Sequence, residues 1–311
     1  MMLQALRARP RLWQWVLHLA GALLVGYLLY SFGPERLAGI VAQADPLYLA
    51  VFASLTAGGY WLRAWKWRMA LGRGRQAVRL FFLAKVAGNW TPARVGELAP
   101  LMLGEHRNAQ LAAWIFADRV LEIWLTVGMG LIGALSIPDS AQGWVPFAIA
   151  AMAVATVVLA AALWAFPSES LEKAVAGRGR VWQVVHVLHG ELRDLGPRAP
   201  VLGAITIAAK VADFAAVMFL LAAFGYHADF WLVAAARFAH ALVSASPLTP
   251  DTTGAPYVAA GAVLHQYAGV PADTLTAALA LDAFVIIGAA QVFYIMCGAH
   301  RLGHPQKEIL S

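Results

Sequence analysis

The chain has 311 residues, of which 61% are hydrophobic and only 13% charged, with a formal net charge of +6. A soluble domain carries about a quarter charged residues, so an ordinary globular protein is excluded and a polytopic integral membrane protein is expected. One cysteine, Cys297, excludes an internal disulfide and any multi-cysteine metal cluster.

A basic leader with Arg7, Arg9 and Arg11 precedes an apolar run, Trp13 to Phe32. The run is longer than the apolar core of a signal peptide and no small-residue cleavage pattern follows it, so a retained span is expected. A second span, Pro46 to Trp67, ends in the cluster Arg63, Lys66, Arg68, Arg73, Arg75 and Arg79. Next stands an interrupted stretch, Ala87 to Gly104, in which Asn89, Arg94 and Glu97 lie among Gly88, Pro92, Gly96 and Pro100. Leu80–Gly88 and Ala93–Leu103 flank the break with about ten residues each, roughly 15 Å of helix, enough to reach mid-membrane and return. Broken backbone at that depth survives only where protein buries it or it lines a wet cavity. A re-entrant helical hairpin over 80–104 is therefore expected.

Ala109 to Leu135 reads as a full span carrying Asp118, Arg119 and Glu122, and Trp144 to Phe166 as another. Between 167 and 198, a basic loop holds an amphipathic helix in which Val181, Trp182, Val184, Val185, Leu188 and Leu192 recur at helical spacing with polar residues opposite, suited to the membrane surface. Val201 to Phe224 spans again, with Lys210 and Asp213 three apart and expected to neutralise each other. Trp231 to Val243, carrying Arg237 and His240, runs into a second break, Ser244 to Pro256, with Pro250, Asp251, Gly254 and Pro256. Tyr257 to Tyr267 returns from it, giving a second re-entrant hairpin over 229–268. A last span, Asp273 to Met296, contains Asp282.

The order span, broken hairpin, span occurs twice, in 46–136 and 199–299. Asp118 and Asp282 are 164 positions apart, and so are Pro92 and Pro256. One extra span separates the units, so the repeats are inverted and their hairpins enter from opposite faces. With both termini cytoplasmic, the basic residues fall on the inside and Arg36 alone on the outside, as the positive-inside rule requires. The charge of +6 is then a matter of topology in a bacterial-type inner membrane, and no nucleic acid is called for. The fold class is all-α, with about six spans and two hairpins in one integral membrane domain.

Ionisable groups at membrane depth default to functional candidates. Arg94 and Glu97, three apart and just past Pro92, suit a lipid phosphate and its surroundings; the alternative is an internal ion pair. Asn89, Asp118, Arg119, Glu122, Arg237, His240, Asp251 and Asp282 complete the expected substrate-binding set, with structural pairing or helix capping as the competing role. Pro92, Gly96, Pro250, Gly254 and Pro256 are the structural breaks. His186 and His189 lack a carboxylate or cysteine to complete a metal site; no metal, cofactor or catalytic residue is expected.

The pattern Asn89-x-x-Pro92-x-Arg94-x-Gly96-Glu97, followed by Asp118-Arg119-Val120, resembles the flippase-like transmembrane domain of lysylphosphatidylglycerol synthases, from about Pro46 to Met296. In that family the membrane domain moves an aminoacylated phospholipid between leaflets and can be fused to a soluble domain that makes it. The resemblance implies a stand-alone flippase-like protein here. Where the family has a glycine-rich Pro-Gly-Gly-x-Gly turn followed by Glu, this sequence has Pro250-Asp251-Thr252-Thr253-Gly254-Ala255-Pro256, so the head group is not carried over. The expected partners are membrane lipids, whether anionic, aminoacylated or linked to a polyprenyl phosphate, together with a lipid-synthesising enzyme. An ion- or proton-coupled small-anion transporter and a lipid-modifying enzyme using Glu97 and Asp118 are the alternatives.

Overall fold

The computed structural model describes residues 33–72, 74–89, 91, 95–102, 109–135, 137, 189–190, 193–194, 196–244 and 254–299. The expected spans Trp13–Phe32 and Trp144–Phe166, most of the amphipathic segment, and Pro92, Arg94, Pro250 and Asp251 lie outside the described residues. What is described is all-α: α1 (Pro34–Ala42), α2 (Pro46–Leu71), α3 (Gly74–Asn89), a 3₁₀ turn Val95–Leu98 running into the single turn α4 (Ala99–Met102), α5 (Ala109–Ala134), α6 (Ala199–Ala223), α7 (Phe230–Ser244), α8 (Gly254–Ala268) and α9 (Ala272–Met296).

Local chemistry sets the helix ends. Asp45 caps α2, its carboxylate accepting from the Leu47 amide at 2.8 Å, and Pro46 fills the first helical position where no N–H is needed. Gly72, left-handed at φ 63°, ends the helix and donates to the Arg68 carbonyl. Asp229 caps α7 in the same way, accepting from the amides of Trp231 and Leu232.

Among the described residues, Gly196–Ala223 and Ala272–Met296 are long and apolar enough to cross a membrane by length and hydropathy alone. α2 and α5 are 26 residues each, about 39 Å of helix, but carry charges that the bundle buries. Arg63, Lys66, Lys85, Asp118, Glu122 and Asp282 are all buried, whereas Trp61, Phe116, Val258, Phe284 and Met296 are exposed. Water would select the opposite arrangement. A charged inside and an apolar outside suit a bundle solvated by lipid.

α2 and α6 form the central pair, and hydrogen bonds at both ends fix them antiparallel. The Asp45 amide donates to Ala223, and the Arg198 guanidinium to Met69 and Ala70. α3 packs on α9, with the Arg79 Nε donating to the Cys297 carbonyl at 2.8 Å and Phe82 stacked on Phe293. α7 packs on α5, where Gly130 and Gly133 leave no room for a Cβ against Phe238 and the Trp231 carbonyl. α7 and α8 lie side by side.

Four expectations are revised. α2 continues to Leu71, and Arg63 and Lys66, expected at the basic end of the span, sit inside the bundle. The first arm at the first break, α3, has 16 residues rather than about ten. The described part of the returning arm is half 3₁₀, and Gly96 presses against the Ala87 carbonyl, a closeness no side chain allows. Pro34–Ala42 is a helix where only a connection was expected.

Candidate functional site

α2 places Thr56, Gly59, Tyr60, Arg63, Lys66 and Trp67 on one buried face, at the three- and four-residue spacing of a helix. The charges on that face meet partners from α5 and α6. Arg63 Nε donates to Glu122 Oε1 at 2.9 Å, and its two terminal nitrogens take both oxygens of Asp213. Lys66 pairs with Asp118 and donates to the Thr206 hydroxyl at 3.0 Å, while the Trp67 indole donates to Asp118 Oδ2 at 2.8 Å. Asp213 is thus held by Arg63 of another helix.

The network continues towards the first break. Lys85 of α3 lies 3.3 Å from Glu97 Oε1 and 3.7 Å from Glu122 Oε2. Arg119 contacts Glu97 Oε2 and lies 3.8 Å from Glu122. Glu97 is held close by backbone geometry: Gly88 leaves its side chain room, and Thr91 Oγ1 accepts from the Gly96 amide at 2.6 Å. On the other side, Arg237 of α7 pairs with Asp282 of α9 at 2.8 Å. Next to it, His240 lies edge-on to Tyr257 of α8, and its Nδ1 is 3.3 Å from the Ser244 hydroxyl.

These groups surround a cavity of about 320 Å³ bounded by α2, α3, α5, α6, α7, α8 and α9. Of the expected site residues, Asn89, Arg119, Glu122, Arg237, His240 and Asp282 line it. Asp118 does not: Lys66 and Trp67 hold it away from the cavity. Glu97 stands behind Lys85 and Arg119 rather than on the wall. Gly96 and Pro256 sit at the two breaks and Gly254 opens α8, whereas Arg94 and Asp251 lie outside the described residues.

Arg63, Lys85, Lys210 and Asp213 also line the cavity, and sequence reasoning assigned none of them to the site. For Arg63 a signal exists. The small and polar positions Thr56, Gly59, Arg63, Lys66 and Ala70 keep helical spacing straight through the basic cluster, so the inward face does not stop where the charges begin. A lone Lys85 in an apolar run carries no such pattern.

Fold and site together define a helical membrane protein with a charged internal cavity. The chain matches the family described as the lysylphosphatidylglycerol synthase TM region over residues 14–290, and it belongs to that family. It corresponds to the membrane, non-catalytic region of that lipid-handling family. Comparison with curated protein sequences and with solved structures gives no match.

Proposed function

We propose that this protein carries a lipid head group between the leaflets of the inner membrane through the cavity bounded by α3, α5 and α7, while the acyl chains stay in the bilayer. The observation that carries the reading is the polar cavity inside an apolar-faced bundle, lined by Asn89 and Ser244 at the ends of α3 and α7 and by Tyr257 near the start of α8. The packing supports inverted repeats over 46–136 and 199–299. The leading helices α2 and α6 are antiparallel, α3 of the first unit packs on α9 of the second, and α7 of the second packs on α5 of the first. α3 starts at the end of the bundle that holds Arg198 and Cys297, and α7 at the end that holds Asp45 and Ala223. These placements support the reading of re-entrant hairpins that enter from opposite faces, in the manner of alternating-access carriers. Six spans with both termini cytoplasmic complete the proposed topology, and Arg94 is proposed to reach the same cavity.

An enzyme that makes the lipid is the natural protein partner. The lipid-modifying alternative loses ground: Asp118 is held by Lys66 and Trp67, and Glu97 by Lys85 and Arg119, so neither carboxylate is placed to move a substrate proton. The cationic wall keeps a small-anion carrier as the second reading. Reconstitution into liposomes with head-group-labelled lipids decides between them. The expected result is faster leaflet exchange with protein than without, slowed in Arg94→Ala and Glu97→Gln. Exchange equal to that of empty liposomes, with the variants indistinguishable from wild type, overturns the proposal. Uptake of a water-soluble anion without lipid exchange establishes the second reading.

A further inference from the structure

Within the translocation reading, we infer that Lys85 of α3 and Arg119 of α5 form a binding site for a phosphodiester anion, which Glu97 occupies as an internal stand-in. The argument begins with charge. The described cavity wall carries five full cations, Arg63, Lys85, Arg119, Lys210 and Arg237, against three carboxylates, Glu122, Asp213 and Asp282. Adding Glu97 from behind the wall still leaves one positive charge in excess. In a site walled by apolar helices such an excess selects an anion, and a phosphodiester carries one negative charge.

Geometry selects the place. Glu97 divides its oxygens, Oε1 facing Lys85 and Oε2 facing Arg119. The two non-bridging oxygens of a phosphodiester make the same demand, one facing an ammonium and one a guanidinium. Lys85 and Arg119 reach the cavity while Glu97 does not, and Glu122, the carboxylate beside them on the wall, is bonded at 2.9 Å by Arg63 and lies 3.7 Å or more from both, so a head group arriving from the cavity meets the two cations on the side away from Glu97. Exchange of phosphate for carboxylate keeps both cations matched throughout.

The rest of the wall narrows the head group. Asp213 is engaged by Arg63 and Asp282 by Arg237, so an ammonium entering the cavity has to break an existing ion pair to find a carboxylate. Ser244, Tyr257 and His240 also line the cavity, and side chains of these types suit hydroxyl groups. The ligand class is therefore a phosphodiester with an uncharged, hydroxyl-bearing remainder, and the volume of about 320 Å³ falls at the small end of ligand sites.

Calorimetric titration of the full chain in maltoside detergent with dihexanoyl phosphatidylglycerol tests the site apart from transport. Wild type is expected to bind it more tightly than dihexanoyl phosphatidylethanolamine. Lys85→Gln and Arg119→Gln each weaken binding about tenfold, and Glu97→Gln, which removes the competing carboxylate, tightens it by a similar factor. Lys85→Arg and Arg119→Lys keep the charge and stay within about threefold of wild type; they carry the test where a glutamine variant fails to fold. Inorganic phosphate that competes at similar concentration assigns the site to a free oxyanion, and no competition assigns it to a lipid head group; both results uphold the Lys85–Arg119 site. Equal affinity in wild type and both glutamine variants, or equal affinity for the two lipids, overturns it. Binding of the expected pattern without lipid exchange in liposomes leaves this site standing and removes the translocation reading.

Discussion

The surroundings of α3 and those of α7 are packed alike and charged differently. Each helix leads into a break and rests on the last long helix of the other half. Around α3, however, Arg63, Lys85 and Arg119 converge on Glu122, with Glu97 and Asp213 adding further pairs. Around α7, among the described residues, one pair, Arg237–Asp282, stands next to a core of Leu232, Val233, Ala234 and Leu264. A shared scaffold thus supports two kinds of wall. One is an ionic mesh that can exchange partners; the other is an apolar face with one fixed charge pair. This division gives a carrier a side that recognises the ligand and a side that closes against it.

The comparison is broken most directly at Arg63. Arg63→Ala leaves Glu122 and Asp213 buried without their shared guanidinium, and breaking a buried pair costs about 3–5 kcal/mol. A large fall in thermal unfolding temperature in detergent is expected, larger than for any single change around α7. Adding Asp213→Asn recovers part of the loss, because one stranded charge is then removed. If Arg63→Ala unfolds like wild type, the mesh is not what holds α2, α5 and α6 together.

On the α7 side the loss is simpler and wholly repairable. Asp282→Leu strands the Arg237 guanidinium and costs about 3 kcal/mol, whereas Arg237→Met combined with Asp282→Leu replaces the pair by apolar contacts and returns close to wild type or above it. The double-variant cycle checks this, and transport discriminates further. A stable double variant that no longer moves lipid assigns the pair to function; one that moves lipid normally assigns it to structure.

A steric change comes next in size. Gly133→Ala drives a methyl group into the Trp231 carbonyl of α7, and forcing packed helices apart costs about 1–3 kcal/mol. Because α7 lies on α5 through an apolar contact, the penalty is expected to be insensitive to salt. A salt-dependent loss means that the seam is electrostatic after all and removes the contrast with α3.

Much of the fold was legible because apolar runs are long and their ends are marked. The expected Val201–Phe224, Trp231–Val243 and Asp273–Met296 agree with α6, α7 and α9 to within two residues. Arg119, Glu122, Arg237 and Asp282 were readable as site candidates for the plain reason that charge inside an apolar run needs a partner. Arg63 and Lys66 were hidden by the opposite rule. Basic residues that follow an apolar run normally mark the membrane edge, and only the unbroken helical spacing of α2 shows that they point inward. Lys85 was hidden because its partners Glu97 and Glu122 come from separate segments, and no pattern local to α3 announces them.

The smallest effect is expected on the outer surface, where the two halves should no longer differ. Phe116 of α5 and Phe284 of α9 are both largely exposed, and in lipid each touches acyl chains whether or not the helices are packed. Helix association in a bilayer gains nothing from apolar burial as such, so Phe116→Leu and Phe284→Leu are each expected to shift stability by less than about 0.5 kcal/mol. Arginine at the same positions is a different matter, since a charge facing the hydrocarbon centre costs about 2.5–3.5 kcal/mol. Expression in membranes with thermal unfolding of the purified variants measures both. Tolerance of leucine with intolerance of arginine at both positions confirms that the apolar exterior faces lipid in both halves. Tolerance of arginine at one position only means that this flank faces water or another protein surface, and the contrast between the halves then extends from the cavity to the outside of the bundle.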